Sequence, residues 1–364
     1  MAGLAVVGLG AGAVLLHPAS PSSSRAVPAT PEASVKDPYL HIQAPNFTLT
    51  DQWGKQVSLT QFRGDVVLLA FVDPECTTIC PLTTEALVQG VRELGASASR
   101  VRILGIAANP IQHSVADLKA YSKAHGLLHR WDFLTGPLPQ LEQIWRAYYV
   151  EVEAIKNNID HDPITYVIGP NGLIQNAIWT PMLYGDVGDQ AAQVVSEVSA
   201  VLHLHPRHRS PDLVTDSFPG QTSSLKIIAG AGRGGRASFG PGHPHLIVFV
   251  ASWLDETSNL KGQLSALNRY AELARRRGWP SLVAVDLGPS EPSAGALKRF
   301  LGAQHLALRY PVVDDETGGF ADGYEVQDAP WIEVTKPSGG IAWRHDGWVK
   351  PAGLEAEVQR LTAA

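Results

Sequence analysis

The sequence predicts an α/β protein made of two tandem sandwiches, each a central mixed sheet flanked by helices. Three observations predict it. The runs Val66–Val72, Val101–Ala107 and Leu246–Val250 are almost wholly apolar and short, as strands buried on both faces of a sheet are. Helical patterns separate them, which suits parallel crossovers. Finally, Pro163-Ile-Thr-Tyr-Val-Ile-Gly-Pro-Asn-Gly-Leu-Ile174 aligns without a gap on Pro330-Trp-Ile-Glu-Val-Thr-Lys-Pro-Ser-Gly-Gly-Ile341, so the second half repeats the first in outline.

The 364 residues suffice for two domains with full cores. A formal charge of −6 is only mildly acidic, which argues against a nucleic-acid partner. Two cysteines do not make a disulfide framework. Residues 1–36 open with the uncharged apolar run Ala2–Leu16, read as a signal-peptide core or membrane anchor, and continue as a Pro/Ser-rich tether. Anchor and tether predict a domain held just outside a membrane, in an extracytoplasmic compartment.

The first domain is expected over 37–206. Residues 44–59 alternate, turn at Gly54 and alternate again, as a hairpin does. The strand Val66–Val72 leads into a turn and a helix with Leu87, Val91 and Leu94 on one face. Strand Val101–Ala107 precedes a helix over 114–124, with Ser114 as N-cap and Asp117 three places on. A further helix is expected over Leu138–Tyr149. Strands 164–168 and 173–179 flank a type I turn at Gly169-Pro-Asn-Gly172, and a helix over 186–202 closes the domain. The order ββ–β–α–β–α–α–β–β–α is that of a thioredoxin-like sandwich.

Residues 207–240, rich in Pro, Ser, Arg and Gly, read as an interdomain linker. His203, His205 and His208 cluster nearby; a metal site is one reading, but no Cys or carboxylate pattern joins them, and they read as solvated loop residues. A second, degenerate thioredoxin-like domain is expected over 241–364. Aligning Phe71 with Phe249 sets Leu254 opposite Cys76 and Ser258 opposite Cys80, so this domain has the scaffold without the thiols. Its Trp331, Trp343 and Trp348 gather near Pro330, the expected cis-proline.

Both cysteines lie in Phe71-Val-Asp-Pro-Glu-Cys-Thr-Thr-Ile-Cys-Pro81, on the turn from strand to helix. Pro81 suits a first helical turn. A helix N-terminus favours thiolate over thiol. A thiolate is both the nucleophile of disulfide exchange and a soft ligand for Cu(I) or Zn. Cu(I) accepts two or three ligands, and His161, just before the 164–179 hairpin, is the candidate complement to Cys76 and Cys80. Asp160 and Asp162 flank it and are candidates to orient its ring. Pro163 occupies the place where thioredoxin-like proteins carry a cis-proline.

Cys76-Thr-Thr-Ile-Cys-Pro81, the Asp160-His161 pair and Tyr166-Val-Ile-Gly-Pro-Asn-Gly172 resemble the SCO/SenC family. Leu104–Pro110, Leu118-Lys-Ala-Tyr121 and Tyr148-Tyr149 extend the resemblance over about residues 40–202. It implies a copper-binding protein of cytochrome c oxidase assembly, with Cys76, Cys80 and His161 as copper ligands. The implied partner is the copper-site subunit of the oxidase, or another thiol protein. Two departures stand out: Asn109-Pro110 and His113 replace the family's Asp-Pro and following Asp, and Pro163 replaces an apolar residue. The alternatives are a metal-free thiol-disulfide oxidoreductase using Cys76 and Cys80, a peroxidase, and a non-catalytic binding module. A peroxidatic site needs a Thr and a Pro in a set pattern just before the attacking Cys, and Asp73-Pro-Glu-Cys76 does not supply that pattern.

Overall fold

The apolar run Val66–Val72 becomes the central strand of one of two seven-stranded sheets in the computed structural model, which describes residues 40–156, 158–205 and 214–363. The apolar leader, the tether and His208 lie outside the described residues. In the first lobe β1 (Thr48–Asp51) and β2 (Gln56–Ser58) form the expected hairpin. Then come β3 (Val66–Val72), α1 (Ile79–Glu93), β4 (Val101–Ala107), α2 (Val115–Ala124), β5 (Asp132–Thr135) and α3 (Leu138–Ala147). A small separate hairpin follows, β6 (Val152–Ile155) and β7 (Asn158–His161), before β8 (Ile164–Ile168), β9 (Ile174–Trp179) and α4 (Val187–Leu202).

The sheet order is β2-β1-β5-β4-β3-β8-β9. Strands β3, β4 and β5 run parallel, and β8 lies antiparallel to β3 on its other side. All seven β3 residues are buried, because helices cover both faces. Ser114 caps α2 as expected: its hydroxyl accepts from the Asp117 amide, and the Asp117 carboxylate accepts from the Ser114 amide.

The second lobe comprises β10 (Ser223–Gly230), β11 (Arg236–Phe239), β12 (His245–Val250), α5 (Leu254–Ser258), α6 (Leu260–Arg277), β13 (Ser281–Asp286) and α7 (Ala296–Ala303). It ends with β14 (Pro311–Asp314), α8 (Gly319–Gly323), β15 (Trp331–Thr335), β16 (Ile341–Asp346) and α9 (Pro351–Ala363). Its sheet order, β11-β10-β14-β13-β12-β15-β16, repeats the first strand for strand. The two lobes are thioredoxin-like units, and β12, wholly buried, takes the place of β3.

Three expectations are corrected. Strand β5 was not anticipated: it is four residues long, and its strand character comes from pairing between β1 and β4. The hairpin β6–β7 is a further element that the sequence does not announce: most of its residues are exposed, so no apolar alternation marks it. Residues 223–239, expected within the linker, form β10 and β11. The Gly-rich stretch is their turn, and Gly230 has a φ of +75° with the Tyr310 carbonyl where a side chain would stand.

Candidate functional site

The loop Asp73–Thr78 leaves the C-terminal end of β3 and delivers the chain into α1. Crevices at that end of parallel strands are where α/β folds place ligands. Asp73 shapes the loop: its carboxylate accepts from the Glu75 amide at 2.9 Å, and its carbonyl from the Cys76 amide at 3.1 Å. Cys76 is half-buried and Cys80, the second residue of α1, is buried; both are free thiols. Pro81 falls in the first turn, where its missing N–H leaves nothing unpaired.

Two donors converge on Cys76 besides the Cys80 thiol. The Cys80 amide, one of the unpaired N–H groups at the start of α1, points at Cys76 Sγ at 3.4 Å. Thr78 sits at the N-cap, yet its hydroxyl turns to Cys76 Sγ at 3.2 Å instead of capping the helix. Hydrogen bonding with Cys80, aided by Thr78, lowers the Cys76 pKa although burial and Asp73 oppose it. Burial raises the Cys80 pKa well above that of a free thiol, and negative charge at Cys76 adds to it. The pair is therefore split: Cys76 ionises first, and Cys80 keeps its proton.

His161 ends β7, and its Nε2 lies 3.4 Å from Cys80 Sγ. Its Nδ1 is 3.2 Å from the Asp162 carbonyl, which only accepts, so Nδ1 carries the proton. Nε2 then offers a lone pair toward the protonated Cys80, whose one S–H is shared between Cys76 Sγ and this nitrogen. Burial lowers the His161 pKa and keeps the ring neutral. The orienting group is thus the backbone carbonyl of Asp162. Its carboxylate accepts from the Glu151 amide instead, and Asp160 is exposed on the β6–β7 hairpin opposite Glu153. Both acids act on the ring only through their charge. Pro163 leads into β8 after a trans bond: the one cis peptide bond among the described residues is Ala329–Pro330, as expected for the second lobe.

Two further polar residues belong to the site: Asp73, which the sequence did not single out, and Asn109, which stood out only as a departure from the family pattern. Asp73 is buried beside the cysteines, accepts from Asn109 Nδ2 at 2.7 Å, and burial raises its pKa. Asn109 Oδ1 in turn accepts from the amides of Ile111 and Gln112, which fixes the β4–α2 loop. The signal was present, since a carboxylate directly after a wholly apolar strand is held at the sheet's edge. Among the described residues no three His, Cys, Asp or Glu side chains already stand together as a metal cage. Cys80 meets His161, while Cys76 is turned toward Thr78. His203 and His205 are exposed after α4. His245 is buried in β12, bonded to the Ser238 carbonyl and the Ser281 hydroxyl, both at 2.8 Å.

The second lobe presents no thiol here. Leu254 is buried at the start of α5, and Ser258 accepts from Trp348 Nε1 at 2.9 Å. Trp331, Trp343 and Trp348 are partly buried against that lobe's own core.

The profile of the SCO1/SenC family matches residues 38–197. The SCO1 protein homolog of Bacillus subtilis is 31% identical over 146 residues, 38% of this chain and 75% of its own length. The chain belongs to the SCO1/SenC family. Among mitochondrial relatives, the SCO2 homolog of Bos taurus is 34% identical over 136 residues, and this SCO1/SenC chain covers half of that protein. A putative electron transfer protein from Aquifex aeolicus is 20% identical over 47% of this chain and 99% of its own, with a TM-score of 0.40. ScoI from Bradyrhizobium japonicum, solved with copper bound, is 19% identical over 44% of this chain and 99% of its own, with a TM-score of 0.38. The second lobe of this SCO1/SenC chain lies beyond the residues that the family profile matches.

Proposed function

We propose that this chain carries copper for the assembly of a cytochrome c oxidase copper site, with Cys76, Cys80 and His161 taking the metal as cargo. The observation that carries the reading is His161 Nε2 at 3.4 Å from Cys80 Sγ, with Cys76 Sγ 3.4 Å from the Cys80 amide on the same turn. Two thiolates and one imidazole form a soft donor set, which suits Cu(I). Loading replaces the Cys76–Thr78 and Cys80–His161 hydrogen bonds and releases thiol protons, so affinity rises with pH. In the test, Cys76→Ser or Cys80→Ser abolishes the coloured Cu(II)–thiolate complex that the reduced parent forms; a variant that keeps the colour contradicts the assignment.

A second reading uses the same pair without a metal, and the opposed shifts of the two thiols favour it. The Cys76 thiolate attacks a partner disulfide and expels one partner thiolate, which takes a proton. Cys80 then loses its proton and attacks Cys76 Sγ, forming the Cys76–Cys80 disulfide and freeing the second partner thiol. Two electrons pass from the pair to the partner. His161→Ala leaves this exchange intact, which separates the two readings.

The apolar stretch 2–16 and the tether support placement outside the cytoplasm, at a membrane. No helix among the described residues is long and apolar enough to cross one. Cell fractionation tests the placement: the full chain is expected with the membrane, and its recovery in the cytosol contradicts that.

A further inference from the structure

The second lobe is seated over the cysteine loop. A cleft of about 200 Å³ opens at Cys76, with Glu75, Tyr121 and His125 of the first lobe on one side and Trp253, Glu256 and Thr257 of the second on the other. The contact around it is broad. The Trp253 ring packs on His125 at 4.9 Å, and Lys123 pairs with Glu256 at 2.7 Å. Asp322 accepts from the amides of Tyr184 and Gly185 at 2.7 and 2.8 Å. Leu82, Ala86, Ala124, Tyr184 and Val187 of the first lobe join the second lobe's core, so apolar packing runs across the boundary. At Gly318, φ +82°, a Cβ would stand 2.6 Å from the Gly185 nitrogen, so the backbones approach as closely as glycine permits.

We propose that the cysteine-free lobe is a cap: while docked it admits only small species to Cys76, a copper ion or a small thiol, and a folded acceptor reaches Cys76 only after the lobes part. The proposal rests on Cys76 being the working thiol and names what can reach it. A cleft of about 200 Å³ accommodates a small molecule, whereas a docking protein needs a patch of roughly 800 Å² per partner. Such a patch around Cys76 would include the surface that Trp253 and Glu256 already cover.

The test is metal-free, so a failure of the copper reading does not decide it. In a Cys80→Ser background, Cys76 of the full chain is labelled with iodoacetamide and with a maleimide bearing a polyethylene glycol chain. Each rate is divided by that of the same chain unfolded in urea. With an open form populated at about 0.1–10%, folding slows the bulky reagent about tenfold or more beyond iodoacetamide. Asp322→Ala removes the acceptor of two cross-lobe amides and should narrow that gap. Glu256→Lys, an exposed change that leaves both cores untouched, should narrow it less. Equal slowing of both reagents in the parent overturns the cap. A gap that both folded variants leave unchanged overturns the second lobe as its cause.

Discussion

Three donors and one buried acid set the chemistry of Cys76. The Cys80 thiol, the Thr78 hydroxyl and the Cys80 amide stabilise its thiolate, and burial and Asp73 oppose them. Substitutions at Thr78 and Asp73 should therefore move Cys76 in opposite directions. Thr78→Val removes a donor and raises the Cys76 pKa; Asp73→Asn removes a negative charge and lowers it. The pH dependence of iodoacetamide labelling reads both shifts, and shifts of the same sign would contradict this electrostatic account. Cys76, Cys80 and His161 were legible as site candidates because thiols and imidazole are few and their chemistry is narrow. The Asp162 carbonyl was not legible, because every residue has a carbonyl and only the fold decides which one faces a ring. Asp160 illustrates the converse: adjacency in sequence put it beside His161, and strand alternation turned it to solvent.

At the scale of elements, apolar runs were the legible part. The central strands β3, β4 and β12 lie where their runs of Val, Leu and Ile put them. The helix α2 begins where Ser114 and Asp117 cap it. What was lost has a short apolar signal or an exposed face: β5, the β6–β7 hairpin, and the β10–β11 hairpin disguised by its glycines. The last of these yields a sharp prediction. Phe239 in β11 is 1% exposed and packs on Phe320 at a ring distance of 4.5 Å. Phe239→Ala should cost about 3–5 kcal/mol in urea unfolding of the full chain, as truncation of a core phenylalanine does. A cost near zero would return residues 223–239 to the linker they resemble.

At the scale of the molecule, one strand order is used twice, and the copy without thiols lies across the copy that has them. The repeat was legible from the aligned Pro163 and Pro330 segments. The docking was not, since Trp253, Glu256 and Asp322 lie in no motif and meet the first lobe only in three dimensions. His125, buried between Tyr121 and Trp253, makes this junction acid-sensitive: burial lowers its pKa from 6.5 to about 3. Above pH 6.5 the ring is neutral in folded and unfolded chains alike. Between 6.5 and about 3 only the unfolded chain takes the proton, so stability falls as pH falls through that window. The loss is up to about 1.4 kcal/mol per pH unit. His125→Phe removes this contribution, so urea unfolding near neutral and at mildly acid pH should show a smaller loss than in the parent. Equal losses would remove His125 as the cause.

The central claim is that Cys76, Cys80 and His161 hold copper together, and a competition titration of the fully reduced full chain with Cu(I) tests it most directly. The parent should bind one copper per chain. His161→Ala, whose Nε2 lies 3.4 Å from Cys80 Sγ in the parent, should bind about tenfold or more weakly, a loss of about 1.4 kcal/mol or more, and still form the Cys76–Cys80 disulfide on oxidation. A His161→Ala chain that binds Cu(I) as tightly as the parent would contradict the copper assignment and leave thiol-disulfide exchange as the function of the pair.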